Sequence, residues 1–443
     1  MQRMGWVAAT AGAAEIAVSD RECAPGLQWV QRHLSRRSTD LGARGTNQWI
    51  KPLAGVHACT VALVVAAGLL LVMPDARAQG QCPLPALASG LLTPLGVAQS
   101  TRGDLLVAET GIHGVPNSGR ISIVDVRGHR STLVEGLPSG TNDVNEPSGP
   151  AGIIIRGRTA YVAIGIGDSG LPGPFPGTLV VNPTPSSALF SSVLAIHFSA
   201  AVEKGTSGFS LTSAHNAALA AGERVTLSNG AGDKATIAVV ANFPDSTPAP
   251  LASLPNNRRG ANPFDLVTLG DDLFVTDGGQ NAIWRVDLPT GALEVVTTFP
   301  QIANPMFPFG PPTTDAVPTG IRVHGGQLLV TLLTGFPFAE NTSTIEEVDP
   351  ETGAHTLVLG QLTTGIDVLA AGHQRTEYLV LQHSSGAVFS GPGQLIHVDA
   401  DGMRTTIADC FDRPTSMVQD KKTGAVYVTE ITGGRLVRLD STQ

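Results

Sequence analysis

Six copies of a strand–turn–strand unit, strands of five to seven residues rich in Val, Ile, Leu and Thr, and a fourth-strand segment displaced ahead of the first copy predict an all-β fold. The architecture these imply is a six-bladed β-propeller closed by an N-terminal strand, with a small helix-plus-hairpin insertion in blade two. The copies open as PLGVAQSTRGDLLVAETG from Pro94, GPAGIIIRGRTAYVAIGIGDSG from Gly149 and NPFDLVTLGDDLFVTDGG from Asn262. They continue as VPTGIRVHGGQLLVTLLTG from Val317, TTGIDVLAAGHQRTEYLVLQHSSG from Thr363 and RPTSMVQDKKTGAVYVTEITGG from Arg413. A third strand follows each: RISIVDV, VLAIHF, AIWRVDL, TIEEVDP, QLIHVDA and RLVRLDS. A fourth follows five of them, at 131–137, 236–243, 293–299, 355–362 and 405–411. The sixth copy stops at Asp440, and LPALASGLLTP (84–94) supplies its missing strand from the other end of the chain. Such closure removes two exposed sheet edges.

Residues 1–78 are set aside as a leader. TVALVVAAGLLLVM (60–73), preceded by Lys51 and followed by the A-x-A pattern of Ala76 and Ala78, reads as a signal peptide cleaved after Ala78. An apolar run of 14 residues is short of the roughly 20 a membrane span needs. The stretch upstream lacks periodicity, which favours a start codon placed too far upstream over a long leader. Neither Cys59 nor Cys82 follows a lipid-attachment triplet. The expected domain is a single propeller over 79–443 in a secreted or periplasmic protein, with no membrane contact after cleavage.

Of 28 basic and 37 acidic residues, 8 and 5 lie in the leader, which leaves 20 against 32 and a balance of −12. A surface of that sign repels phosphate backbones and anionic lipid, so nucleic acid and membrane are excluded as partners. Cys82 and Cys410 remain, and export favours a disulfide between them, joining the closing strand to the strand that leads into blade six. A cross-link over roughly 300 residues contributes about 4–5 kcal/mol in the chain-entropy model. Two cysteines without a C-x-x-C pair exclude a thiolate zinc site.

Blade two departs from the period by about 40 residues, with the insertion at about 199–235. In it LTSAHNAALAAGE (211–223) predicts a short helix capped by Thr212 or Ser213, with Leu211, Ala214, Ala218 and Leu219 near one face. Asn229-Gly230 predicts a hairpin. The Pro-rich segments 171–185 and 244–255 read as connecting loops.

Four segments resemble the ScyD/ScyE family, NHL/TolB-like propellers named for the scytonemin biosynthesis cluster: 262–287, 316–338, 209–232 and 413–430. The resemblance spans 82–440, and the helix insertion and TGFPF corner carry it most selectively. It implies an exported propeller and transfers no catalytic residue.

Recurrence separates structural acids from candidates for chemistry. Glu109, Asp168, Asp277 and Glu430 end second strands, a place that predicts acceptance of turn amides. Asp125, Asp287, Asp349, Asp399 and Asp440 end third strands and read as turn residues. Gly167-Asp168-Ser169-Gly170 lacks the base that would activate its serine and is not a nucleophile loop. Residues that break the six-fold pattern near first strands are candidates for the channel: Glu146, Asn262, Asp265, Thr319, Arg322 and Asp367. Glu146, Asn262, Asp265 and Asp367 are oxygen donors of the kind that hold Ca²⁺ in propeller lactonases, or else they bond one another and channel water. His324, His373 and His383 read as packed or surface residues, and Phe336 and Phe338 as blade packing or a binding mouth. The expected function is non-catalytic binding or scaffolding of a small molecule or protein on one face, with the insertion as lid or contact. The alternative is a calcium-dependent lactonase-like hydrolase or sugar-type oxidoreductase acting in the channel.

Overall fold

The computed structural model describes residues 84–174, 178–202, 208–371 and 376–440, so the leader, Cys82 and His373 lie outside the described residues. The described residues fall within one compact unit, Ala76–Gln443. In them, six sheets of four or five strands follow one another along the chain and form the blades. Their innermost strands are Pro94–Gln99, Pro150–Arg156, Pro263–Leu269, Pro318–His324, Gly365–Ala371 and Pro414–Gln419. Each packs against its successor, and the sixth packs back onto the first. Five begin with Pro, which a strand tolerates at its first residue because no ladder bond is lost there. Ala86–Ser89 pairs antiparallel with Arg435–Leu439 as the outermost strand of blade six, so the N-terminus closes the ring as the sequence predicts. Cys410, in the fourth strand of blade five, is disulfide-bonded.

Second strands explain why the blades adhere. Leu273 and Val275 pack with Ala163 and Val193 of blade two, while Phe274 between them packs with Ile321 and Val330 of blade four. Likewise Leu105 and Val107 face Tyr427 of blade six, and Leu106 and Ala108 face Leu194 of blade two. Because side chains alternate faces along a strand, one buried on both faces must read as a continuous apolar run. LLVA and LFV are such runs.

A feature the repeats did not reveal recurs in every blade. The pairing of first and second strands slips at the start of the first, between Pro94/Gly96, Pro150/Ile153, Pro263/Leu266, Pro318/Ile321, Gly365/Asp367 and Pro414/Met417. These bulges bend the strand where neighbouring blades approach most closely. A Cβ on Gly152 would lie 2.6 Å from the Asp265 Cα, and one on Gly320 would lie 2.8 Å from the Asp367 Cα.

The insertion contains the helix Ser213–Ala220, capped by Thr212, whose Oγ accepts from His215 N at 3.3 Å. Its buried residues are Asn216 and Leu219, whereas Ala214 is exposed. Phe209–Ser210 runs parallel to the fourth strand of blade one, and Val225–Ser228 pairs with that of blade two. Phe209, Leu211, Leu219, Val225 and Leu227 join the core between the two blades. The insertion therefore clasps two blades at their outer edge and does not cover the channel. Within the segments read as Pro-rich loops, Gly170–Pro172, Leu179–Val181 and Ser246–Pro248 join Arg258–Gly260 in a small sheet. Strands of three residues carry too little periodicity to be read from sequence.

Gly152→Ala and Gly320→Ala should each lower stability by about 1–3 kcal/mol, because backbone must give way. Gly230→Ala, whose Cβ would meet nothing within 4 Å, serves as control and should leave thermal melting level or slightly raised. Melting of Gly152→Ala equal to the parent would contradict this account of strand approach.

Candidate functional site

First strands begin, and second strands end, at the same end of the ring, which is called here the loop face. The acids there act as the repeats predict. Glu109 accepts from Leu92 N at 2.5 Å and Arg120 Nε at 2.8 Å, and Glu430 from Asp412 N at 2.9 Å and Arg435 Nε at 2.7 Å. Asp277 takes Asn262 N at 2.7 Å, Gly279 N, Gln280 N and Trp284 Nε1. Burial nevertheless pushes Asp277 up to about 6. In blade five a neutral group does the same work, Gln382 Oε1 accepting from Thr363 N at 3.1 Å. Asp168 differs, accepting from Ser186 N and Oγ, and Ser169 is buried in the turn. Asp125, Asp287, Asp349 and Asp399 each accept amides of the following turn, whereas Asp440 meets Arg438 instead.

Of the six channel candidates, three converge. Arg322, on the first strand of blade four, reaches Asp265 of blade three through Nη1 at 2.5 Å and Asp367 of blade five through Nη2 at 2.5 Å. Nη2 also donates to Met417 O of blade six at 3.3 Å. Each carboxylate caps backbone besides: Asp265 takes Leu266 N and Ile321 N, and Asp367 takes Val368 N and Met417 N. Burial, reinforced by Asp265 and opposed by Arg322, pushes Asp367 up to about 6. The two carboxylates hold the Arg322 guanidinium above its usual range against its own desolvation.

The other three stand apart. Thr319 is buried and bonds along its own blade to Thr331 O at 3.3 Å, and its carbonyl accepts from Thr276 Oγ at 2.6 Å. Asn262 Oδ1 accepts from Ile166 N at 3.1 Å, tying blade two to blade three. Glu146 lies in the turn of a short hairpin, Gly140–Thr141 with Pro147–Ser148, and not on a first strand. It is exposed to water yet walled by protein, and that environment, with Asp143 nearby, raises its carboxyl. These residues do not make a calcium cage: Asp265 and Asp367 have spent their oxygens on Arg322 and amides. Among the described residues no group of three or more His, Cys, Asp or Glu could hold a metal ion.

An exposed group of aromatic rings also lies on the loop face. Phe307 and Phe309 are 58% and 50% exposed, and Phe336 is 47% exposed. Phe309 and Phe336 lie 5.5 Å apart, Phe336 meets Phe338 edge-on at 6.2 Å, and Phe338 stacks on Phe389 at 3.8 Å. Asn304, buried, holds the loop that presents Phe307 and Phe309, its Nδ2 donating to Phe309 O at 2.9 Å and Pro311 O at 2.7 Å. Beneath lies His383, edge-on to Phe389 at 4.8 Å, its ring Nδ1 2.9 Å from Pro414 O. Burial pushes His383 down to about 4, so the ring is neutral and Nδ1–H donates. His324, at the far end of its strand, faces Glu347 at 3.9 Å. Sequence had singled out Phe336 and Phe338; Phe307, Phe309 and Asn304 carry no repeat signal and were missed.

Two outcomes follow. Arg322→Met should cost about 3–5 kcal/mol at neutral pH by stranding two buried carboxylates, a deficit that shrinks on acidification. Adding Asp265→Asn and Asp367→Asn should recover most of it in denaturant unfolding; a single variant as stable as the parent would refute the bridge. His383 works the other way. Depressed from 6.5 to about 4, it contributes stability present above 6.5 and lost as pH falls through 4. Lowering pH from 7 to 5 should therefore cost the parent up to about 2 kcal/mol more than His383→Gln, read from melting at both pH values. Equal losses would count against it.

No family model matches the sequence, and no curated protein matches it. The chain is similar in structure to the soluble aldose sugar dehydrogenase of Escherichia coli at 10% identity, covering 80% of this chain and 98% of that one with a TM-score of 0.44. It is similar to the PQQ-bound aldose sugar dehydrogenase of Streptomyces coelicolor at 14% identity, 81% and 96% coverage and a TM-score of 0.45. A gluconolactonase of Xanthomonas campestris shares 10% identity over 83% of this chain and 93% of its own, with a TM-score of 0.44.

Proposed function

We propose that this chain is an exported binding propeller of the ScyD/ScyE type, a single domain over 79–443 that engages a partner through its loop face and performs no chemistry in its channel. The observation that carries this reading is the contrast between the two places. In the channel, Asp265 and Asp367 are engaged by Arg322 and by backbone amides, which occupies the oxygens a substrate or cation would need. On the loop face, Phe307, Phe309 and Phe336 are exposed together. A clustered apolar patch of aromatic rings is the usual signature of a recognition surface. The signal-peptide-like pattern of residues 60–78 supports a secreted or periplasmic location, and such a compartment would favour Cys82 as the partner of Cys410. The alternative is a calcium-dependent lactonase-like hydrolase or sugar-type oxidoreductase acting in the channel; the raised carboxyls of Asp143 and Glu146 lie in a hairpin off the first strands and lend it no support.

Elemental analysis of the purified full-length protein before and after chelator separates the two. The binding reading expects no stoichiometric calcium and melting indifferent to chelator. Stoichiometric calcium whose removal lowers the melting temperature, with lactone hydrolysis lost alongside, would overturn it. Replacing Phe307, Phe309 and Phe336 together by Ser should leave melting unchanged while abolishing retention of the partner that the parent captures from its own envelope or culture fraction.

A further inference from the structure

The aromatic rings of the loop face belong to a longer row that ends in a cation. From Phe309 the row passes to Phe336 and Phe338 of blade four and on to Phe389 of blade five, and the guanidinium of Arg413, at the start of blade six, lies 5.9 Å from the Phe389 centroid. Phe338 and Phe389 are stacked at 22° and turn their faces to each other. What the row leaves open is therefore largely ring edge, with the exposed side chain of Val388 beside it, a surface on which a flexible chain can lie more readily than a second flat ring can stack.

Two features of this row are not required by the ring of blades. The loop that supplies Phe389 holds Val388 and Phe389 in succession in the left-handed region, with φ of 54° and 53°, a conformation unfavourable for β-branched and aromatic side chains. Gly386 N donating to Ser390 O at 2.9 Å and Val388 N to Pro337 O at 3.1 Å hold the loop there, which lays Phe389 on Phe338. Arg413 is the second feature. It stands immediately before a first strand, where blades one, four and five carry Thr93, Val317 and Thr364, likewise at positive φ, so the repeat does not call for a cation. Arg120, Arg259 and Arg435 on the same face each meet a carboxylate, whereas Arg413 pairs with none among the described residues. Its Nη1 donates to Gly391 O at 3.2 Å, and its Nε and Nη2, with no acceptor among the described residues, are open to water. Burial holds this guanidinium below its usual range, opposed only in part by Asp412, and an arriving anion would relieve that cost.

We infer that this row binds a linear apolar carboxylate of the fatty-acid type, its carboxylate on Nε and Nη2 of Arg413 and its chain along Phe389, Phe338 and Phe336. A guanidinium offers a carboxylate two parallel donors, and each methylene buried on the rings adds to the affinity. The inference rests on the loop face being the recognition surface and names what that surface takes. The test uses the full-length protein and calorimetry with octanoate, decanoate and dodecanoate below their micelle concentrations, beside decan-1-ol. Decanoate should bind about tenfold or more tightly than decan-1-ol, and dodecanoate about tenfold or more tightly than octanoate. Arg413→Gln should erase the preference for decanoate over the alcohol and Arg413→Lys should keep part of it, both melting near the parent because the side chain is only half-buried. Phe336→Ser should weaken carboxylate and alcohol alike. Absence of carboxylate binding at millimolar concentration overturns the assignment, as does decanoate binding that Arg413→Gln leaves intact, or affinity indifferent to chain length. If the carboxylates fail while the triple Ser variant of Phe307, Phe309 and Phe336 still loses its partner, the ligand class falls and the recognition surface stands; a triple variant that keeps its partner strikes the surface itself.

Discussion

The pairing of Ala86–Ser89 with Arg435–Leu439 holds the ring together, because every blade depends on two neighbours and this strand pair makes the last neighbour relation. Each second strand buries one set of side chains toward the blade before it and the other toward the blade after it, so a blade with one free flank would expose half of its apolar residues. Closure at the ends of the chain lets the first and sixth blades meet the same condition as the rest, and Thr415 and Thr429 of blade six add bonds to Pro94 O and Leu95 O of blade one.

Close approach at the centre follows from the same geometry. Where first strands crowd together, the chain places Gly at 96, 152 and 320, and Asp at 265 and 367, whose carboxylates take amides of the next blade. Arg322 then pairs with both acids, offsetting one of their two charges, while touching the backbone of blade six. Burying two carboxylates without it would be strongly destabilising, and the guanidinium between them occupies the position a cation would take. The channel charges are consequently structural in what they do.

Departures from the six-fold pattern sit outside the channel, on loops that the ring holds in fixed positions. The segment organised by Asn304 presents aromatic rings between blades three and five, and the helix clasp joins blades one and two at their outer edge. Both sit on a rigid scaffold whose own side chains are consumed in packing, the arrangement by which loop residues come to carry recognition.

The sequence by itself determined the blades, their order and the closure, because each strand announces itself through neighbours in the chain: period-two burial, Gly and Asn turns, acids that cap nearby amides, and a short helix within 211–223 capped by Thr212 or Ser213. It also determined which residues break the repeat. What they do was decided by tertiary structure. Asp265, Arg322 and Asp367 are separated by 57 and 45 positions, and only the radial packing of blades three, four and five turns three scattered candidates into one ion-paired group. Glu146 looked equivalent to them in spacing, yet a two-residue hairpin carries it away from the first strand. Asn216 of the helix clasp bonds to Asn117 and Gly136 of another blade, contacts across 99 and 80 residues that no local pattern encodes. Local sequence fixes elements through short-range sterics and burial; sites assembled across blades exist only once the ring has closed.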